Sequence, residues 1–194
     1  MKVKVLREQG YEEAALGFSL SYKSTPERAK ELFSSKAFVQ IGENKFLESI
    51  YVWLDIVATR EWWIQADTYR ISTKQSESTM HTIHKRPLEL FDFEFSEYNR
   101  DHIRLTANYI NSIRLDNSLT NLQKVKMIKE VLPESFLQRR VWVMNYRTLQ
   151  NVIIQREHHA LEAWQDFIAQ IKEQVEHPEL LFPLYIANKE ECLD

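Results

Sequence analysis

Residues Val131 to Arg156 read VLPESFLQRRVWVMNYRTLQNVIIQR, and the reading of this stretch decides the fold. Gln138–Met144 reads as extended chain. Arg147–Val175 reads as one long helix, with apolar positions 153, 160, 164, 167, 168, 171 and 175 forming a single stripe at helical spacing. The entrance to that helix carries Asn145, Arg147, Asn151 and Arg156. Buried cations and amides are costly unless something pairs with them. An anionic ligand or a partner chain would be such a pair. At about 100° per residue, Arg147, Asn151 and His158 fall in a narrow arc, while Arg156 lies nearly opposite. One flat site on one helix face cannot use all four, whereas a helix buried between subunits can.

Working outward, the elements alternate in type. Lys2–Leu6 reads as a short strand and Tyr11–Leu16 as helical. Ser24-Thr25-Pro26-Glu27 is a helix start, a hydroxyl cap followed by proline in the first turn; this helix runs to about Phe33. Phe38–Ile41 is a short strand or turn. Ile50–Val57, β-branched and aromatic, is a strand, and Thr59-Arg60-Glu61 opens a helix through Arg70. Ser72–Ser78 is polar and reads as a loop over the site. Ser96 caps a helix over roughly Glu97–Ile113, and Thr120 caps the next, which ends before Pro133. No repeat, low-complexity segment or linker interrupts the order. It predicts one helix-rich α+β domain over residues 1–194 with a small mixed or antiparallel sheet.

Composition narrows the chemistry. The 194 residues are 44% hydrophobic and 27% charged, ordinary for a globular domain with a full core. Only 3 glycines occur, with no GxGxxG or GxxxxGK[ST], so a glycine-cradled phosphate loop is excluded. A net charge of -3 predicts no general affinity for nucleic acid. One cysteine, Cys192, excludes an intrachain disulfide or a cysteine zinc site. The start MKVKVLREQGYEEAAL has no long apolar core of a secretory signal, and no run approaches a membrane span. The expectation is a cytoplasmic protein without membrane contact. The spacing His81-Thr82-Ile83-His84 and the pair His158-His159 read as surface histidines rather than metal ligands. Trp62-Trp63 reads as core; the Arg139-Arg140 pair has the charge to bind phosphate but reads first as a solvated turn.

The tract from Lys129 to Arg156 resembles the flavin-dependent thymidylate synthases (ThyX). That family has Arg before a hydrophobic pair and Leu-Pro, then an aromatic-rich strand and an Asn-x-Arg-[Ser/Ala]-Leu helix start, followed by Asn and Arg. Here Lys129, Leu132-Pro133, Trp142, Asn145, Arg147, Leu149, Asn151 and Arg156 fill the same spacing without a gap. The upstream family signature is Arg-His-Arg, seven residues, then Ser, with Gln three places before the first Arg. Gln65, Arg70 and Ser78 match it. Thr68 and Tyr69 replace Arg-His, Ser76 stands where Glu is usual, and Met80 replaces a further Arg. Farther back, Glu48 matches a family Glu, while Glu43 occupies a His position.

The resemblance implies a homotetramer with sites at subunit interfaces, FAD as cofactor, and methylenetetrahydrofolate and NADPH as co-substrates. It implies one-carbon transfer to C5 of a deoxypyrimidine monophosphate, dUMP to dTMP by default, without a cysteine nucleophile. Carried over by position, Gln65, Ser78, Lys129 and Arg156 would hold the nucleotide monophosphate, with Ser78 against the pyrimidine as the catalytic position. Arg70, Asn145, Arg147 and Asn151 would line the flavin site; Tyr69 departs from the family there, and its aromatic ring, rather than the resemblance, suggests stacking. Lys129 offers a point charge where Arg would offer a fork. Thr68 and Met80 each lose a cation. At about 1.5–3 kcal/mol per charge-assisted contact, the two losses correspond to a factor of roughly 10²–10⁴ in binding. His81, His84, Lys85 and Arg86 follow closely enough to compensate. A different nucleotide, a hydroxymethyl product, or a non-catalytic nucleotide- or protein-binding role are the alternatives.

Overall fold

Strand β1 (Lys2–Gln9) ends at Gly10, which takes φ 100° and starts helix α1 (Tyr11–Tyr22). The glycine is required twice over. Its φ lies in the left-handed region, and a Cβ here would stand 2.0 Å from the Ser49 carbonyl oxygen. Thr25 Oγ1 accepts the Arg28 N–H at 3.3 Å, and Pro26 opens α2 (Pro26–Lys36), as the sequence predicts. Strand β2 (Tyr51–Thr59) alternates strictly, with Val52, Leu54, Ile56 and Ala58 buried. Thr59 caps α3 (Arg60–Ala66) by accepting the Trp62 N–H at 3.2 Å. Then follow β3 (Thr73–Ser76), α4 (Thr79–Thr82), α5 (Arg100–Leu115), α6 (Asn121–Val131), β4 (Leu137–Asn145), α7 (Tyr146–Arg156) and α8 (Ala163–Gln174). The computed structural model describes residues 1–39 and 42–182. The expected strand or turn at Phe38–Ile41 and the tail cysteine, Cys192, fall partly or wholly outside that range. Among the described residues the strands form one antiparallel sheet in the order β1-β2-β4-β3. No described helix is long and apolar enough to cross a membrane. The α+β expectation holds.

By contacts the chain forms two compact units. Unit 1 comprises Met1–Ile56, Tyr69–Lys74 and Val141–Asp194; unit 2 comprises Val57–Thr68 and Gln75–Arg140. In unit 1, Phe33 stacks on Phe46 with ring centroids 3.9 Å apart, and Trp142, Trp164 and Phe167 are fully buried. Gln150, also buried, donates to the Ala37 and Leu180 carbonyls at 3.1 and 2.9 Å, which satisfies its amide. In unit 2, Ile103, Ala107 and Ile110 of α5 pack with Val125 and Ile128 of α6 and with Phe136. Trp62 and Trp63 are fully buried there, as the core reading expects.

Four expectations are corrected. The predicted helix Arg147–Val175 is two helices, broken between Arg156 and Ala163. The break is held by side chains that periodicity does not weigh. Gln165 donates to the Arg156 and Glu157 carbonyls at 3.2 and 3.1 Å, and His159 Nδ1 accepts the Leu161 N–H at 3.1 Å. His158 therefore leaves the arc of Arg147 and Asn151. The polar stretch Ser72–Ser78 is no simple loop, since Thr73–Ser76 is the edge strand β3; an edge strand has little apolar signature. The helix expected from Glu97 begins at Arg100, because the Asn99 side chain accepts the Ser96 N–H at 2.8 Å and holds a turn before it. The helix expected through Arg70 stops at Ala66, where Thr68 Oγ1 donates to the Gln65 carbonyl at 2.7 Å.

Two glycine substitutions separate conformational from steric demand. Gly17 lies inside α1, and a methyl group on its Cα would meet nothing within 4 Å, so Gly17→Ala should raise unfolding free energy by about 0.5–1 kcal/mol in urea titrations. Gly10→Ala should instead lower it by at least about 1–2 kcal/mol, from left-handed strain and the Ser49 clash. Equal effects at the two positions would contradict the turn geometry.

Candidate functional site

The site residues predicted from the sequence fall in both units. In unit 1 they gather where β4 becomes α7. Asn145 takes an extended φ/ψ and its Oδ1 accepts the Thr148 N–H at 2.9 Å, a helix cap. The Tyr146 N–H donates to the Ile50 carbonyl at 2.8 Å. Its ring is fully buried, and its hydroxyl donates to the Glu8 carboxylate. The other Glu8 oxygen accepts the Glu176 N–H at 2.9 Å. Burial pushes the Glu8 carboxyl above its ordinary range, and burial beside that carboxylate pushes the Tyr146 phenol up as well. Tyr146 is thus a neutral donor clamped to an acid.

Arg147 and Asn151, four residues apart on α7, share a face. Arg147 is half-buried and Asn151 exposed, and neither has a hydrogen bond or ion pair among the described residues. Exposed Arg70 is likewise without one. The segment that carries Arg70 is tied to the first turn of α7, because Thr148 Oγ1 donates to the Ile71 carbonyl at 3.2 Å. Arg156, nine residues beyond Arg147, has a different setting. Its Nε donates to the Tyr69 hydroxyl at 2.8 Å. Its guanidinium carbon lies 5.5 Å from the Tyr69 ring centroid and 4.8 Å from that of Trp164. Tyr69 itself packs against Trp142 and Trp164, with centroids 6.2 Å away in each case. Lys74 donates to the Tyr69 carbonyl at 2.9 Å and lies 4.8 Å from the Trp142 centroid. The sequence reading assigns Tyr69 to the flavin set and Arg156 to the nucleotide set; in the structure the two side chains are in direct contact.

In unit 2, Gln65 sits half-buried in the last turn of α3. Ser78 is exposed at the start of α4; its carbonyl accepts the His81 N–H at 3.1 Å and the Thr82 hydroxyl at 2.8 Å, and its hydroxyl makes no cap. Lys129 is exposed on α6, with Nζ 3.4 Å from the Met80 sulfur. Lys129 lines a cavity of about 260 Å³ together with Thr79, Arg60 and Arg140. The sequence reading gave Arg60 no site role and put a solvated turn ahead of phosphate binding for Arg140. Arg140 is not in a solvated turn: it lies in β4, and its side chain is only 17% exposed. The available signal was strand alternation, which turns Arg139 and Arg140 to opposite faces. No group of three His, Cys, Asp or Glu residues able to hold a metal occurs among the described residues.

The Glu8–Tyr146 clamp predicts a pH signature. A carboxyl whose folded-state pKa is raised binds its proton more tightly in the folded chain. The corresponding stability is present below about pH 4.5 and lost as pH rises through the raised value. Glu8→Gln should flatten that decline in a plot of unfolding free energy against pH. Tyr146→Phe leaves the buried carboxylate one donor short and should cost about 1–3 kcal/mol at neutral pH. A Glu8→Gln curve parallel to the parent would show that Glu8 titrates normally.

No family model and no curated protein matches the sequence. Solved structures do. Thymidylate synthase X (ThyX) from Helicobacter pylori with FAD and dUMP superposes with a TM-score of 0.77 at 18% identity, covering 93% of this chain and 97% of that one. A second structure, the flavin-dependent thymidylate synthase ThyX from the same organism complexed with FAD and dUMP, gives 0.76 at 19% identity and covers 100% of both chains. The chain therefore has a ThyX-like α+β fold across its length.

Proposed function

We propose that the protein is a flavin-dependent enzyme of one-carbon transfer to C5 of a deoxypyrimidine monophosphate, dUMP to dTMP by default. Methylenetetrahydrofolate would be the carbon donor and NADPH the reductant, with sites between subunits of a homotetramer. The observation that carries this reading is the α7 face bearing Arg147 and Asn151, which have no partners among the described residues, in a fold shared with two ThyX structures that hold FAD and dUMP.

The donor set fits an anionic cofactor. Arg147 and Arg70 supply guanidinium forks and Asn151 a carboxamide, and among the described residues none of these side chains is spent on the fold. These three, with Asn145 and Tyr69, would hold FAD, which when bound would supply the electrons for the transfer. Gln65, Ser78, Lys129 and Arg156 would hold the nucleotide, with the Ser78 hydroxyl against the pyrimidine. The clamp at Tyr146 keeps the backbone of Asn145 and Arg147 in register, so on binding a ligand the Arg147 side chain alone would order.

A second reading is favoured by two departures. The Thr68 hydroxyl closes the last turn of α3, and Arg156 is engaged with Tyr69. Both residues serve the fold at positions where the family resemblance places ligand contacts. A changed nucleotide, a hydroxymethyl product, or nucleotide binding without catalysis would accommodate them.

The absorbance spectrum of the purified protein decides first: flavin bands should be present or appear on adding FAD, and a colourless protein that ignores FAD would sink the enzyme reading. Arg147→Ala should weaken FAD binding about ten- to a hundredfold, measured by flavin fluorescence. At a hundredfold excess over its dissociation constant, dUMP should stabilise the protein by about 2.7 kcal/mol; stabilisation by dCMP alone would support the second reading. Light scattering should show a tetramer, and a monomer would count against an interfacial site.

A further inference from the structure

In a cavity of unit 2, Arg60 and Arg140, to which the resemblance gives no role, add positive charge beside Lys129. Arg60, Lys129 and Arg140 line it with Thr79 and Gln138, and no carboxylate is among the lining residues. Arg140 is held in one conformation. Its Nη1 lies 3.1 Å from each Asp67 carboxylate oxygen, its Nη2 donates to Gln138 Oε1 at 2.9 Å, and its guanidinium carbon stands 4.5 Å from the centroid of the buried Trp63 ring. The Trp63 indole is itself fixed, donating to the Gln138 carbonyl at 3.0 Å. Arg140 Nε–H is buried without an acceptor. Arg60 donates to the Leu132 carbonyl at 2.6 Å and lies 3.4 Å from a Glu134 oxygen. Among the described residues Lys129 meets only the thioether of Met80, a weak acceptor. Asp67 and Glu134, the counter-charges, have side chains 50% and 53% exposed, so water screens them more than the arginine side chains they face, which are 17% and 30% exposed.

Asp67 and Glu134 offset two of the three charges only in part, so an anion entering the cavity would lower the repulsion that remains. Neither Arg60 nor Arg140 belongs to the positions that carry the family resemblance. Thr68 and Met80, which do, each lack the cation expected there. We infer that this cavity is a phosphate-monoester subsite in which Arg60 and Arg140 take over from the missing cations and, with Lys129, bind the phosphate of a nucleotide monophosphate. The inference rests on the nucleotide part of the proposed function and not on its flavin part. Prior locking of Arg140 by Asp67 and Trp63 reduces the ordering cost of binding, which offsets part of the lost charge.

Calorimetric titration of the full chain with dUMP, dCMP, deoxyuridine and inorganic phosphate tests this. Arg140→Gln and Arg60→Gln should each weaken the tighter nucleotide about ten- to a hundredfold and leave deoxyuridine unchanged. Arg140→Lys, which keeps the charge, should recover part of the loss. Variants with parental circular dichroism that bind both nucleotides as the parent does would overturn the assignment. If the glutamine variants do not fold, phenylglyoxal labelling of the unaltered protein, read by peptide mass spectrometry, replaces them. The tighter nucleotide should slow modification of Arg60 and Arg140 more than equimolar inorganic phosphate, and deoxyuridine should not slow it. No protection by either nucleotide, or equal protection by inorganic phosphate, overturns a nucleotide subsite. The flavin spectrum of the same samples keeps the two claims apart. A colourless protein with protected arginines loses the flavin reading alone, and a yellow one without protection loses this subsite alone.

Discussion

A single buried phenol holds the strand-to-helix joint on which the candidate flavin site depends. Tyr146 cannot be buried without an acceptor for its hydroxyl, and Glu8 provides it. Glu8 in turn needs donors, and receives Tyr146 and the Glu176 N–H. The Tyr146 backbone N–H is spent on Ile50 of the chain entering β2. One residue thereby ties β1, the start of β2, the end of β4 and the chain after α8 to the first turn of α7. Asn145 and Arg147, its immediate neighbours, inherit that order.

The cations of each unit differ in how they are held. Arg147 and Arg70 carry no hydrogen bond or ion pair among the described residues, so their charge is available to a ligand. Arg156 is placed against Tyr69 and Trp164, where ring faces offset some of the cost of its partial burial. Arg60 and Arg140 are fixed by carbonyls, carboxylates and an indole but still line a cavity. Fixed cations give geometric selectivity, and free ones adapt to a ligand.

Much of this was legible in the chain. Period-2 burial in β2, the Thr25-Pro26 and Thr120 helix starts, and the core tryptophans all follow from local pattern. The capping box at Thr120 forms with Gln123, whose Oε1 accepts the Thr120 N–H at 2.9 Å. The break after Arg156 was not legible. The apolar stripe runs straight through it, and the Gln165 and His159 hydrogen bonds that hold the turn depend on the turn already existing. Strand β3 was hidden for a related reason: an edge strand draws its order from its neighbour, not from its own residues.

The sequence by itself determined the α+β class, most element positions, the absence of a glycine-rich phosphate loop, and the concentration of amides and guanidiniums around Asn145. These are consequences of local spacing and residue type. Only the tertiary structure decided which of those cations are free. Arg147 and Arg156 look alike in the sequence, yet one has no partner among the described residues and the other lies against two aromatic rings. Arg140 looks like half of a solvated pair, yet it is locked over Trp63 by an aspartate 73 positions away. The availability of a charge depends on contacts between residues distant in the chain, and local spacing carries no record of them.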